Sequence, residues 1–158
     1  MRAEEYEILL VEYSSADVKL TLHTMRKNAH VNHIQVLRDE EEALSCLFGR
    51  EPYGESARHP LPQLVLLDLK LPKMDGLSIL RTLKEDRRTR SMPVIVLTSS
   101  RQERDLTASY DLGVNSYIQK PVDFVQFQET LRTLAHYWLL LNQPPPQHAL
   151  TPGTEKPA

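Results

Sequence analysis

The chain is poor in the residues that build metal clusters, disulfides and phosphate-cradling loops. It holds one cysteine, Cys46, so neither a disulfide framework nor a cysteine-bound metal is available. A reducing, cytoplasmic setting fits that usage, and Cys46 itself reads as a small core residue on a helix. Only five glycines occur in 158 residues, and none falls in a phosphate-binding glycine loop. No apolar run approaches the roughly 20 residues of a membrane helix, so no membrane partner is expected. The opening "MRAEEYEILL" is acidic before it is apolar, unlike a signal peptide. A net charge of −2 gives no general attraction to nucleic acid or to anionic lipid. The six histidines are scattered, and none is assigned a role.

What the chain does have is alternation. Apolar runs of strand length, "EILLV" (7–11), "HIQVLR" (33–38), "LVLLDL" (64–69), "MPVIVLTSS" (92–100) and "NSYIQKP", are each followed by a segment of helical period. After the first strand, Val18, Leu22 and Met25 share one helical face, and Ser14 with Asp17 has the spacing of a capping box. "DEEEALSCLFG" is a helix with acids in its first turn and Gly49 past its end. "DGLSILRTLKED" turns Leu77, Leu80 and Leu83 inward, and "RQERDLTASYDLG" stops at Gly113. The last helix is "VDFVQFQETLRTLAHYWLLL", with Phe124, Phe127, Leu131, Leu134, Trp138 and Leu141 as one buried face that core packing explains as far as Leu134. Its end is apolar on nearly every side, which predicts a homodimer through Tyr137, Trp138 and Leu141. Residues 1–141 form one domain. Residues 142–158 hold five of the eleven prolines and read as a disordered tail.

Five strand–helix pairs with crossover connections predict an α/β fold, a parallel sheet with helices on both faces. In such sheets the ligand site lies beyond the carboxyl ends of the strands. Glu12 and Tyr13, Asp68, Thr98 with Ser99 and Ser100, and Lys120 therefore meet. A carboxylate, a hydroxyl and a lysine on separate strand tips suit phosphoryl chemistry, with Asp68 as acceptor, Thr98 as hydroxyl donor and Lys120 as counter-charge. Lys120 before Pro121 suggests a fixed turn, a cis peptide among the options, aiming the ammonium inward.

"LLDLKLPKMDG", "PVIVLTSS" and "GVNSYIQKPVD", in order after "ILLVE", resemble the response-regulator receiver domain of two-component signalling, over about residues 7–141. "SYDLGVNSYIQKPVD" and the late "YW" resemble the stand-alone receivers that partner bacterial phytochrome kinases. The resemblance implies a flavodoxin-like three-layer sandwich, sheet order 2-1-3-4-5, with five helices. It implies phosphotransfer from a histidine kinase to Asp68 with magnesium, and signalling by protein contact rather than enzymatic turnover. Thr98 and Tyr117 would form the switch pair, and Lys120 would contact the phosphoryl group. Glu12, Asp68 and the Lys70 backbone carbonyl would hold the metal. The kinase would dock near the first helix and the strand-end loops. No DNA-binding domain is expected after the last helix.

Two departures from the family pattern matter. The second of its paired acids, a direct magnesium ligand, is replaced by Tyr13, a neutral phenol expected to pack over the loop to the first helix. Two residues after Asp68 stands Lys70, whose ammonium is either solvated or turned toward the pocket. Counting Glu12, Asp68 and Lys120 alone gives a site of formal charge −1 where the family has −2, or 0 if Lys70 folds in. Magnesium binding is therefore expected to be weakened or lost. The alternative function is a receiver that works as a protein-interaction module without phosphorylation. A phosphatase on the same sheet is disfavoured, because no second acid follows Asp68 by two residues.

Overall fold

The structure, a computed structural model, describes residues 8–28, 33–48, 61–72 and 75–146. The apolar runs form strands β1 (Ile8–Val11), β2 (Ile34–Leu37), β3 (Leu64–Leu67), β4 (Val94–Thr98) and β5 (Ser116–Gln119). Helices α1 (Ser15–Arg26), α2 (Glu40–Phe48), α3 (Gly76–Glu85), α4 (Glu103–Asp111) and α5 (Phe124–Ala135) alternate with them. All four strand pairings are parallel, in the order β2-β1-β3-β4-β5. The chain switches direction across the sheet between β1 and β3, which places a ligand crevice there.

The strands read as unbroken apolar runs because both faces are covered. Alternate residues point to opposite sides. Leu9, Val11, Val65, Leu67, Val94 and Val96 pack with Leu44, Ile79, Leu80 and Leu83 from α2 and α3. Ile8, Leu10, Leu64, Leu66, Ile95 and Leu97 pack with Val18 and Met25 of α1 and Phe127, Leu131 and Leu134 of α5. Leu22 and Leu77 are half-buried at the edges of these cores.

Strand ends fall short of their apolar runs. β4 starts at Val94 because Pro93 has no N–H to give a ladder, although its carbonyl still accepts from Val65 N–H at 3.0 Å. The last helix also departs from expectation. Beyond Ala135 the chain widens into a π-helical segment, His136–Leu141, closed by Asn142 N–H to the Tyr137 carbonyl at 2.6 Å. The widened turn breaks the three-and-four spacing. Trp138 and Leu139 are the residues that reach the core, while Leu141 is 58% exposed. Phe124, at the first turn of α5, is also exposed rather than part of the buried face. Gly49 and residues 147–158 of the expected tail lie outside the described residues. Among the described residues no helix is long and apolar enough to cross a membrane.

Candidate functional site

Backbone bonds carry the sheet one residue past three strands and so fix the tips. Glu12 N–H donates to Leu37 O (3.0 Å), Asp68 N–H to Val11 O (3.0 Å) and Lys120 N–H to Thr98 O (2.7 Å). Glu12 is thereby held beside Asp68, and Lys120 beside Thr98. All four are buried.

The Lys120 ammonium lies among three carboxylates. It donates to Glu12 Oε1 at 2.6 Å, Asp17 Oδ2 at 2.7 Å and Asp68 Oδ2 at 3.0 Å. The second oxygens are pinned by backbone, Glu12 Oε2 by Ser14 N–H (3.2 Å) and Asp68 Oδ1 by Lys70 N–H (3.1 Å). Burial, reinforced by the neighbouring Asp68, pushes Glu12 up to about 7. For Lys120, burial pulls the other way, but Asp68 and Glu12 outweigh it and hold the ammonium above its ordinary range.

Asp17 is the residue that sequence reasoning missed at this site. Half of the expected capping box is present, since Ser14 Oγ accepts from Asp17 N–H at 3.3 Å. The other half is not. Ser14 N–H goes to Glu12, and the Asp17 carboxylate goes to Lys120. Three acids and one ammonium therefore restore a formal charge of −2, correcting the smaller count made without Asp17. A signal was available. In a parallel α/β sheet the helix following a strand starts at the ligand edge, so an acid in its first turn is within reach of the tips.

The two departures resolve as follows. Tyr13 is 56% exposed, and its backbone carbonyl accepts from Arg38 Nη1 at 3.3 Å. Lys70 is exposed. Neither fills the missing acid's place. The donors present are hard oxygens, which suits magnesium in kind, and the ion tolerates one or two protein carboxylates completed by water and phosphate. In number they are few: among the described residues no group of three or more His, Cys, Asp or Glu is disposed to hold a metal ion.

Thr98 is wholly buried, and its hydroxyl accepts from Ser100 N–H at 3.2 Å. Tyr117, on β5, has a buried hydroxyl without a hydrogen-bond partner among the described residues, and its burial raises its pKa. Ser100 Oγ nearby is taken by Asp105 Oδ2 at 2.5 Å. An open cleft of about 410 Å³ runs past Ser100, Leu106, Tyr117 and Gln119. The approach of α3 is set by Gly76, whose N–H reaches Leu69 O at 2.8 Å. A Cβ there would lie 2.5 Å from Asp68 O and 2.7 Å from Leu69 Cα.

The comparison with known proteins decides what frame these residues occupy. Residues 8–132 match the Response regulator receiver domain family. The chain belongs to that family. This receiver domain is 39% identical over 146 residues to a probable methanogenesis regulatory protein, FilR2, of Methanothrix harundinacea (strain 6Ac), covering 92% of each chain. It is 36% identical over 132 residues to the response regulator Rcp1 of Synechocystis sp. (strain ATCC 27184 / PCC 6803 / Kazusa), covering 84% of this chain and 88% of Rcp1. The Mn2+-bound form of Rcp1 superimposes with a TM-score of 0.82 over 90% of this chain and all of that one, at 34% identity. The phosphorylated cyanobacterial phytochrome response regulator RcpA superimposes with a TM-score of 0.83 at 34% identity, covering 90% of this chain and 99% of RcpA. The receiver thus has the flavodoxin-like fold of two-component response regulators and phytochrome-associated relatives.

Proposed function

We propose that this receiver accepts a phosphoryl group on Asp68 from the phosphohistidine of a sensor kinase, and passes the signal on by protein contact. The observation that carries the reading is the placement of Asp68: a buried carboxylate at a strand tip with Lys120 Nζ at 3.0 Å and Glu12 on the same ammonium. An Asp68 oxygen attacks phosphorus, the P–N bond breaks, and the electron pair leaves with the imidazole nitrogen. Lys120 neutralises charge gathering on the phosphoryl oxygens, and the Thr98 hydroxyl is the donor one strand away. Glu12, Asp68 and the Lys70 carbonyl would hold magnesium, which when bound supplies further positive charge to those oxygens. When Thr98 turns to the phosphoryl group, Tyr117, with its unpaired hydroxyl and the cleft beside it, moves inward as the second half of the switch.

The family of the kinase follows from the relatives. RcpA is described as a phytochrome response regulator, and we assign this receiver a bacteriophytochrome-type kinase in the cytoplasm. A second copy of the chain is the other partner. Tyr137, Leu140 and Leu141 are exposed at 46%, 44% and 58%, and Trp138, partly drawn into its own core, braces Tyr137 edge to face at 5.0 Å. Light scattering should give a dimer at tens of micromolar; a monomer there removes this interface.

One observation favours the alternative, a binding module that works unphosphorylated: an exposed Tyr13 stands where the family has its second acid, and Lys120 occupies the carboxylates that a metal would need. Acetyl phosphate with magnesium separates the two. Phosphoacceptance predicts a mass gain of one phosphoryl group in the wild type and none in Asp68→Asn. An unmodified wild type selects the binding module.

A further inference from the structure

We propose that Arg38 is a second cation of the phosphoryl site: its guanidinium takes phosphoryl oxygens from the β2 side of the sheet while Lys120 takes them from the β5 side. It supplies charge that a fully held metal ion would otherwise bring. The inference rests on the reading of Asp68 as phosphoacceptor.

The sheet register puts Arg38 in the row of the site. Val11 pairs with Leu37 on one side and with Leu67 on the other. One residue further on, Glu12 N–H to Leu37 O and Asp68 N–H to Val11 O continue the ladder, both at 3.0 Å. Arg38, Glu12 and Asp68 therefore stand side by side at neighbouring strand ends. They also extend one face of the sheet. Ile34 and Val36, Ile8 and Leu10, and Leu64 and Leu66 pack with α1 and α5, and every second residue returns to the same face. At about 4.8 Å per strand, Arg38 lies roughly 10 Å from Asp68 along the row, a gap that a long side chain at one end and an acyl phosphate at the other can close.

The guanidinium already lies against the loop of the site. Its Nη1 donates to Tyr13 O at 3.3 Å and to Ser15 Oγ at 3.4 Å. Both bonds are exposed and longer than the usual N–H···O range, so they are readily traded for water or for an anion. The donors on Nε and Nη2 have no partner among the described residues. Acids follow Arg38 in sequence, yet its guanidinium forms no ion pair among the described residues. Glu42 accepts from the Arg38 backbone N–H at 2.9 Å, Asp39 from Glu42 N–H at 2.8 Å, and Glu40 from the Ser78 hydroxyl. An unspent planar fork matches phosphoryl oxygens, which it can bind in pairs. Where the family pattern has an acid after Glu12, this chain has Tyr13 and lays a guanidinium on that residue's carbonyl. A ligand for a cation has been exchanged for a cation.

The test follows phosphorylation of the full chain by acetyl phosphate, as mass gain against time, in EDTA and across a magnesium titration. An Asp68 oxygen attacks phosphorus, the P–O bond breaks, and acetate leaves with the electron pair. The wild type should be labelled in EDTA. Arg38→Gln should be labelled there roughly tenfold more slowly or worse, the scale of one charge-assisted contact, and Arg38→Lys should recover much of the rate. Saturating magnesium should narrow the gap. Ser15→Ala, which frees the guanidinium but keeps its charge, should not slow labelling. Arg38→Gln at the wild-type rate in EDTA overturns the proposal, and so does a gap that magnesium leaves unchanged. A wild type labelled only with magnesium overturns it too. A loss in Ser15→Ala equal to that in Arg38→Gln would mean that the arginine merely holds the loop, and would overturn it as well. A wild type unlabelled at every magnesium concentration overturns the phosphoacceptor reading itself, a different and recognisable failure.

Discussion

Replacing Lys120 with methionine keeps most of the stem and deletes the charge that three carboxylates share. Two of those carboxylates, Glu12 and Asp68, are 3% and 6% exposed and would be left buried without a cation. Breaking such a buried pair from one side costs about 3–5 kcal/mol. The Asp17 arm is more open and adds no more than ~1 kcal/mol. A domain with roughly 5–15 kcal/mol of stability should survive the change, folded but weakened. The loss should also depend on pH. Glu12 titrates near 7 even with the ammonium present, so in acid it takes up a proton and stops needing a counter-charge. Near pH 5 the destabilisation should shrink to below about 2 kcal/mol. Urea unfolding of both proteins at pH 8 and pH 5 reads this from the midpoints at constant slope. A loss under about 1 kcal/mol at pH 8, or one equal at the two pH values, would refute the electrostatic account of the site.

Other expectations are separable from that one. Glu12→Gln tests the proton held near neutrality. Because the folded value, about 7, lies above the ordinary 4.5, the stability from this group is complete below pH 4.5 and is lost as pH rises through 7. Wild-type stability relative to Glu12→Gln should therefore fall by up to about 3 kcal/mol over that interval in denaturation curves, and a flat difference contradicts the shift. Gly76→Ala should lower stability by about 1–3 kcal/mol in a thermal melt, since its Cβ would overlap backbone atoms of Asp68 and Leu69; an unchanged melt would show that α3 does not sit this close. Tyr13→Asp should tighten magnesium binding roughly ten- to hundredfold by calorimetric titration, the scale of one charge-assisted contact, and equal affinities would mean that the tyrosine is not what weakens the site.

The fold was legible because its signals are repetitive. Continuous apolar runs such as "LVLL" mark strands covered on both faces, and alternation with helical segments allows little besides a parallel sheet. The positions of Glu12, Asp68 and Lys120 followed from the same topology, because strand tips in one sheet share an edge. Asp17 escaped because its spacing from Ser14 already had a local explanation, and half of that explanation holds. The π-helical segment was not legible, because a helical stripe read from sequence assumes a constant turn past Ala135.

The claim on which the rest depends is chemical, that the Asp68 carboxylate itself becomes an acyl phosphate. Borohydride converts an aspartyl phosphate to homoserine and leaves a free aspartate untouched. After treatment with acetyl phosphate and magnesium, then borohydride, peptide mass spectrometry should find homoserine at position 68 alone. Homoserine at another acid, or an unmodified Asp68 in protein that otherwise binds its kinase, would contradict the account.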